Sequence, residues 1–172
     1  MKSRYDPTKH HRRSIRLRGY DYASPGAYFV TMVTHDRECL FGNDIFRRVA
    51  EYNWRALSRH FPNVILDEWI VMPNHIHGIV IIDRVGTQDL AFLPRRPNKF
   101  GPQSRNLASI IRGFKIGVTK FANENDMPFA WQSRFHDRII RNNDELNRIR
   151  KYIHENPINW ETDRNNNQKH NG

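Results

Sequence analysis

The 172-residue chain has few cysteines, few acids and no long apolar run, and each shortage excludes something. A single cysteine, Cys39, rules out a disulfide framework and a multi-cysteine zinc site, and suits a reducing cytoplasm. No stretch approaches the roughly 18 apolar residues of a membrane span. The charged N-terminus is followed by no apolar segment of the kind that makes a secretory signal. Acidic residues number 18 against 28 Lys and Arg, giving a net charge of +10 and a pI near 10.2. Mean hydropathy is −0.80, low for a compact enzyme, yet 12% aromatic residues argue for a packed core rather than disorder. The length fits one domain. What remains is a soluble, intracellular, basic domain whose natural partner is a polyanion.

The positive charge is concentrated. Residues 1–20 hold Lys2, Arg4, Lys9, Arg12, Arg13, Arg16 and Arg18 against one acid, Asp6. The stretch 94–105 adds Arg95, Arg96, Lys99 and Arg105 with no acid. Such runs read either as solvated tails or as segments that order on nucleic acid. The chain divides into a basic arm over 1–20, one domain over 21–160, and a polar, disordered tail over 161–172.

Hydrophobic patterning predicts the elements. Residues 27–34 (AYFVTMVT) are β-branched and aromatic after the turn signal Ser24-Pro25-Gly26, and read as a strand. Asn43 or Asp44 caps a helix to about His60, with Ile45, Val49, Trp54 and Leu57 in helical spacing. The run VILDEWIVMPNHIHGIVII, broken at Pro73-Asn74, predicts an antiparallel hairpin of 64–72 and 75–82. Its second strand is apolar on both faces apart from its histidines, as in a covered central strand. Residues 84–103 form the longest loop. A helix over 104–123 carries the stripe Leu107, Ile110, Ile111, Phe114, Val118 and Phe121. After Pro128, FAWQSRFHDRII predicts a strand ending near Ile140. A last helix starts at Asn142 or Asn143 and stops at Pro157, and 159–172 reads as a frayed end. The order β-α-β-β-α-β plus a terminal helix is the α+β, ferredoxin-like pattern of a split βαβ with an antiparallel sheet.

Two places carry chemistry. His75 and His77 flank Ile76, so strand alternation points them the same way, about 7 Å apart along the strand. A lone histidine there reads as a satisfied core residue. Two on one face of an apolar strand are costly to bury unpaired and point to metal ligation, although the same spacing occurs in unrelated metal sites. In the last helix, Leu146, Ile149 and Ile153 make the buried stripe, and Tyr152 and Asn156, four apart, share a face at its margin. Taken alone they read as a tyrosine packing its ring on the core and an asparagine ending the helix before Pro157. Beside the histidine pair, they offer an amide oxygen and a phenol.

These residues resemble a known family. IVMPNHIHGIVII resembles the His-hydrophobe-His motif of single-tyrosine transposases, and KYIHENP resembles their catalytic-tyrosine helix. The similarity is greatest to REP-associated tyrosine transposases, which act on repetitive extragenic palindromes. GYDYASPGAYFVTMVTHDRECLFG, IIRGFKIGVTKF and WQSRFHDRIIRNNDELNRIRKYIHENPINW match that group in order, so the resemblance covers about residues 14–160. Phe135 and His136 stand where the group often has two tyrosines, which leaves Tyr152 as the motif-matched nucleophile.

The resemblance implies single-stranded DNA across the sheet, with His75, His77 and Asn156 holding Mg²⁺ or Mn²⁺ on the scissile phosphate and Tyr152 forming a 5′-phosphotyrosine link. It implies DNA with hairpin or palindromic repeats as partner, a cytoplasmic, nucleoid-associated protein, and a monomer or homodimer. Candidate backbone contacts are Arg12, Arg13, Arg16, Arg18, Arg95, Arg96, Lys99, Arg134, Arg138, Arg148 and Lys151. Trp131 reads as a core residue or as a base-stacking platform. The competing readings are a relaxase or replication initiator, a non-catalytic binder of structured single strands, and an unrelated metal hydrolase. The last lacks a pattern of acidic ligands near the histidines.

Overall fold

The computed structural model describes residues 21–83, 106–162 and 166. The elements are β1 (Gly26–Val33), α1 (Asp44–His60), β2 (Val64–Val71), β3 (His75–Ile82), α2 (Leu107–Glu124), β4 (His136–Ile140) and α3 (Asn143–Glu155), with short 3₁₀ turns at His35–Arg37, Leu40–Gly42 and Trp160–Thr162. The strands form one antiparallel sheet in the order β2-β3-β1-β4, the ferredoxin-like arrangement expected from the element order. Among the described residues, no helix is long and apolar enough to cross a membrane.

The helices start where side chains can satisfy their first amides. Asn43 caps α1 by accepting from Ile45 N, and Asn106 and Ser109 form a reciprocal capping box on α2. Asn142 caps α3 by accepting from Glu145 N. Helices α1 and α2 cover one sheet face, where Tyr28, Val30 and Met32 of β1 and Ile76, Val80 and Ile82 of β3 meet Trp54, Leu57, Ile110, Phe114 and Val118. Gly78 lets the Trp54 ring lie directly on β3, because a Cβ there would stand 2.3 Å from the ring.

The opposite face carries α3. Ile149 and Ile153 pack with Ile79, Ile140, Phe29, Ile70 and Ile81. Arg150 fixes the helix to the sheet edge by donating from Nε to Asp67 Oδ1 at 2.8 Å, with a second guanidinium bond to Oδ2. That pairing holds the Asp67 carboxyl below its usual range.

Four expectations need correction. The strand expected from Phe129 begins only at His136, with an isolated bridge joining Trp131 to Thr34. Lys115 Nζ donates to the carbonyls of Gln132 and Arg134 at 2.9 Å each, which ties this segment to α2 beyond that bridge. Burial there pushes the Lys115 ammonium pKa down to about 8. Second, the buried stripe of α1 is Phe46, Ala50, Trp54 and Leu57, and Ile45 points outward. Third, the chain after α3 is not frayed at once: Trp160–Thr162 makes a turn, and Asn166 is buried and donates to Trp160 O. Helix α2 starts at Leu107 rather than 104. The basic arm, the 84–103 loop and most of the 161–172 tail lie outside the described residues.

Candidate functional site

Strand β3 is paired on both edges, and alternation sends His75, His77, Ile79 and Ile81 to the α3 face. Both imidazoles are buried, with their Nε2 atoms 3.0 Å apart. Each Nδ1 has its own partner: Asn74 Oδ1 at 2.8 Å for His75, and Thr31 Oγ1 at 2.8 Å for His77. Thr31 reaches His77 because the β1–β3 register sets the two side by side.

Helix α3 brings the second half. Tyr152 is 41% exposed, yet its hydroxyl lies 3.2 Å from His77 Nε2. Phe29 props both rings, stacked on His77 at 5.3 Å and edge-on to Tyr152 at 6.0 Å. Asn156, one turn beyond Tyr152, is buried, and its Oδ1 has no hydrogen-bond partner. An orphaned buried amide oxygen costs about 1–3 kcal/mol, so it calls for an explanation. Trp160 closes the far side with its ring 5.9 Å from His75.

The phenol opens onto a cleft of about 730 Å³ between β4 and α3, lined by Phe29, Thr31, Arg138, Arg148, Tyr152 and Asn156 among others. Arg148, Tyr152 and Asn156 follow at four-residue spacing, so one helix face supplies a cation, a phenol and an amide. Arg138 also borders the cleft, in an ion pair with Glu145. Glu145 in turn accepts from the Arg141 backbone amide, which holds its carboxyl below the usual range.

The donor set suits a divalent cation. Two imidazole nitrogens and an unpartnered amide oxygen are mixed N/O donors without thiolate. Among the described residues, no three His, Cys, Asp or Glu side chains gather to hold a metal ion.

Tyr152, His75 and His77 thus converge, and Tyr152 and Asn156 line one cleft with Arg138 and Arg148. Lys151 lies off that cleft, 3.7 Å from Glu155, and Arg134 lies in the segment tied down by Lys115. Arg12, Arg13, Arg16, Arg18, Arg95, Arg96 and Lys99 lie outside the described residues. Trp131 is half-buried against the core: it packs on Phe41, Phe114 and Phe129 and donates to Lys115 O. Sequence reasoning gave no role to Thr31, Asn74 or Phe29. Asn74 adjoins the histidine motif and could have been noticed, whereas Thr31 and Phe29 enter only through strand register.

No protein-family model matches the chain. An uncharacterized protein of Haemophilus influenzae is 40% identical over 177 residues, covering 95% of this chain and 97% of that one. Among solved structures, a REP-associated tyrosine transposase bound to a REP hairpin is similar with a TM-score of 0.61 and 20% identity, over 86% of this chain and 74% of that one. The chain belongs to one family with the Haemophilus influenzae protein, and its fold is that of a REP-associated tyrosine transposase.

Proposed function

We propose that this protein cuts and rejoins single-stranded DNA at hairpin or palindromic elements, as a metal-dependent transposase of the single-tyrosine kind. The observation that carries the proposal is the approach of the Tyr152 hydroxyl to within 3.2 Å of His77 Nε2, beside a second buried imidazole. A phenol oxygen and a histidine pair then meet beside a cleft that Arg138 and Arg148 border. The similar transposase, bound to a REP hairpin, supports a hairpin-bearing strand as the substrate.

His75, His77 and Asn156 would hold Mg²⁺ or Mn²⁺, which when bound supplies charge neutralisation and polarisation at the scissile phosphate. The residues do the rest. Tyr152 oxygen attacks phosphorus, the Tyr152 O–P bond forms and the P–O3′ bond breaks. The phenol releases its proton as it attacks, the departing 3′ oxygen takes up one and becomes a free 3′-OH, and the 5′ phosphate stays on the tyrosine. Attack by a 3′-OH on that link reverses the step, so rejoining needs no ATP. Phe29 fixes the approach of the phenol, and Arg148 is placed to bind a neighbouring phosphate.

The test is a covalent adduct. Labelled hairpin-bearing single strands incubated with the protein and Mn²⁺ or Mg²⁺ should give a denaturant-resistant protein–DNA band. Tyr152→Phe should abolish the band and keep gel-shift binding. Survival of the band in that variant removes Tyr152 as nucleophile. Binding without an adduct on every hairpin tried leaves a non-catalytic DNA binder.

A further inference from the structure

The geometry points to Asn74 as a positioning residue that presets His75 to ligate through Nε2, an inference resting on the reading of the histidine pair as metal ligands. Asn74 is fully buried at the tip of the β2–β3 hairpin. Its Nδ2 donates to the carbonyl of Arg37 at 3.0 Å. A carbonyl only accepts, so this contact settles which side-chain atom of Asn74 is nitrogen. The oxygen then faces His75 Nδ1 at 2.8 Å, and an amide oxygen also only accepts. Nδ1 of His75 therefore carries the hydrogen. Nε2 is left with its lone pair, and Nε2 is the atom that meets His77.

The device is anchored in backbone held away from its preferred conformation. Asp36 and Arg37 have φ of 49° and 57°, left-handed values that are strained for non-glycine residues. They persist because this turn is bonded to the hairpin tip along its length. Thr34 N and Thr34 Oγ1 both donate to Asn74 O at 2.9 Å, and Phe41 N donates to Pro73 O at 2.8 Å. The strained turn thus aims the Arg37 carbonyl, the carbonyl orients Asn74, and Asn74 sets the tautomer of His75. His77 is treated differently. Its Nδ1 partner is the Thr31 hydroxyl, which can donate or accept and so imposes no tautomer. One ligand is preset and the other adapts.

Two measurements on the full chain test this. Long-range ¹H–¹⁵N spectra of histidine-labelled protein without metal should give His75 as the Nδ1–H tautomer, and Asn74→Ala should lose that preference. Mn²⁺ titrations followed by electron paramagnetic resonance should show Asn74→Ala weakened by about 10–100-fold, the usual loss when the partner of a ligating histidine is removed. Asn74→Asp keeps an acceptor for Nδ1–H but loses the donor to Arg37 O. It should melt at lower temperature and still bind Mn²⁺ near the wild-type affinity. Equal loss of Mn²⁺ affinity in both variants, or an Nε2–H tautomer of His75 in the wild type, overturns the proposal. A wild type that takes up no Mn²⁺ overturns the metal reading instead. The tautomers of wild type and Asn74→Ala then decide the positioning role alone: Nδ1–H that is lost in the variant upholds it, and any other pattern overturns it. Should Asn74→Ala not fold, the wild-type tautomer and the Asn74→Asp affinity decide it.

Discussion

Gly78→Ala is a one-carbon change that tests how tightly the helix-covered core fixes the histidine strand. The added Cβ would stand 2.3 Å from Trp54 Cζ2 and 2.6 Å from Cη2, where carbon atoms rest at about 3.5–4.0 Å. More than about 1 Å must be found. Trp54 cannot supply it by swinging away, because it is fully buried with Trp69 and Phe114 rings centred 6.2 and 5.5 Å off. The strain therefore falls on β3, which is paired on both edges and carries His77 and Ile79 as its next residues on the other face. The expected cost lies at the upper end of the roughly 1–3 kcal/mol seen for overpacked cores. For a chain of this length that is a drop of about 5–10 °C in Tm, read by circular dichroism. Trp54→Phe supplies the control. It shortens the offending ring and removes an Nε1 donor that is buried with no hydrogen-bond partner. Gly78→Ala should cost less in that background, by a coupling of about 1 kcal/mol or more. An additive double mutant, or a single mutant within about 0.5 kcal/mol of wild type, would refute the reasoning.

Two further outcomes follow from the way α3 is seated. Asp67 is held below its usual carboxyl range by the Arg150 fork, so its stabilising effect is complete above the ordinary carboxylate pKa of about 4 and fades as pH falls through the lower folded value. Asp67→Asn should lower the urea midpoint at pH 7, and the gap from wild type should narrow as pH falls below about 4; parallel curves for variant and wild type would count against the clasp. The Tyr152 hydroxyl and His77 Nε2 that meet belong to one chain, so a mixture of Tyr152→Phe and His77→Ala proteins should form no adduct, and adduct above the level of either variant alone would mean that the site assembles between subunits.

Much of the fold was legible because it is written in short-range periodicity. A run apolar on both faces over 75–82 marked a covered strand, and the sheet places β3 between β2 and β1. The three-and-four spacing of Leu107, Ile110, Ile111, Phe114, Val118 and Phe121 marked α2, and all but the half-buried Phe121 are buried. The misreadings are places where a distant group decided the local backbone. FAWQSRF has strand composition, but Lys115 takes two of its carbonyls. Ile45 fits a helical stripe as well as Phe46 does, and only the position of Phe129 and its neighbours selects Phe46 for the core.

The candidate site divides along the same line. Each half is a local spacing, two histidines at i, i+2 and a tyrosine and asparagine at i, i+4, and spacing alone fixes which residues share a face. What joins the halves is not local. Ile149 and Ile153 must find Ile79 and Ile81, and Arg150 must find Asp67, before Tyr152 can stand over His77. The partners that orient the histidines are less legible still. Thr31 lies 46 positions from His77 and reaches it by register, and Asn74 adjoins His75 but is aimed by a carbonyl 37 positions earlier, in a turn with two left-handed residues. A motif can therefore name the two histidines while leaving unnamed the residues that hold their rings in place. Thr31 and Asn74 are accordingly where the geometry of the pair can be altered with the motif left intact.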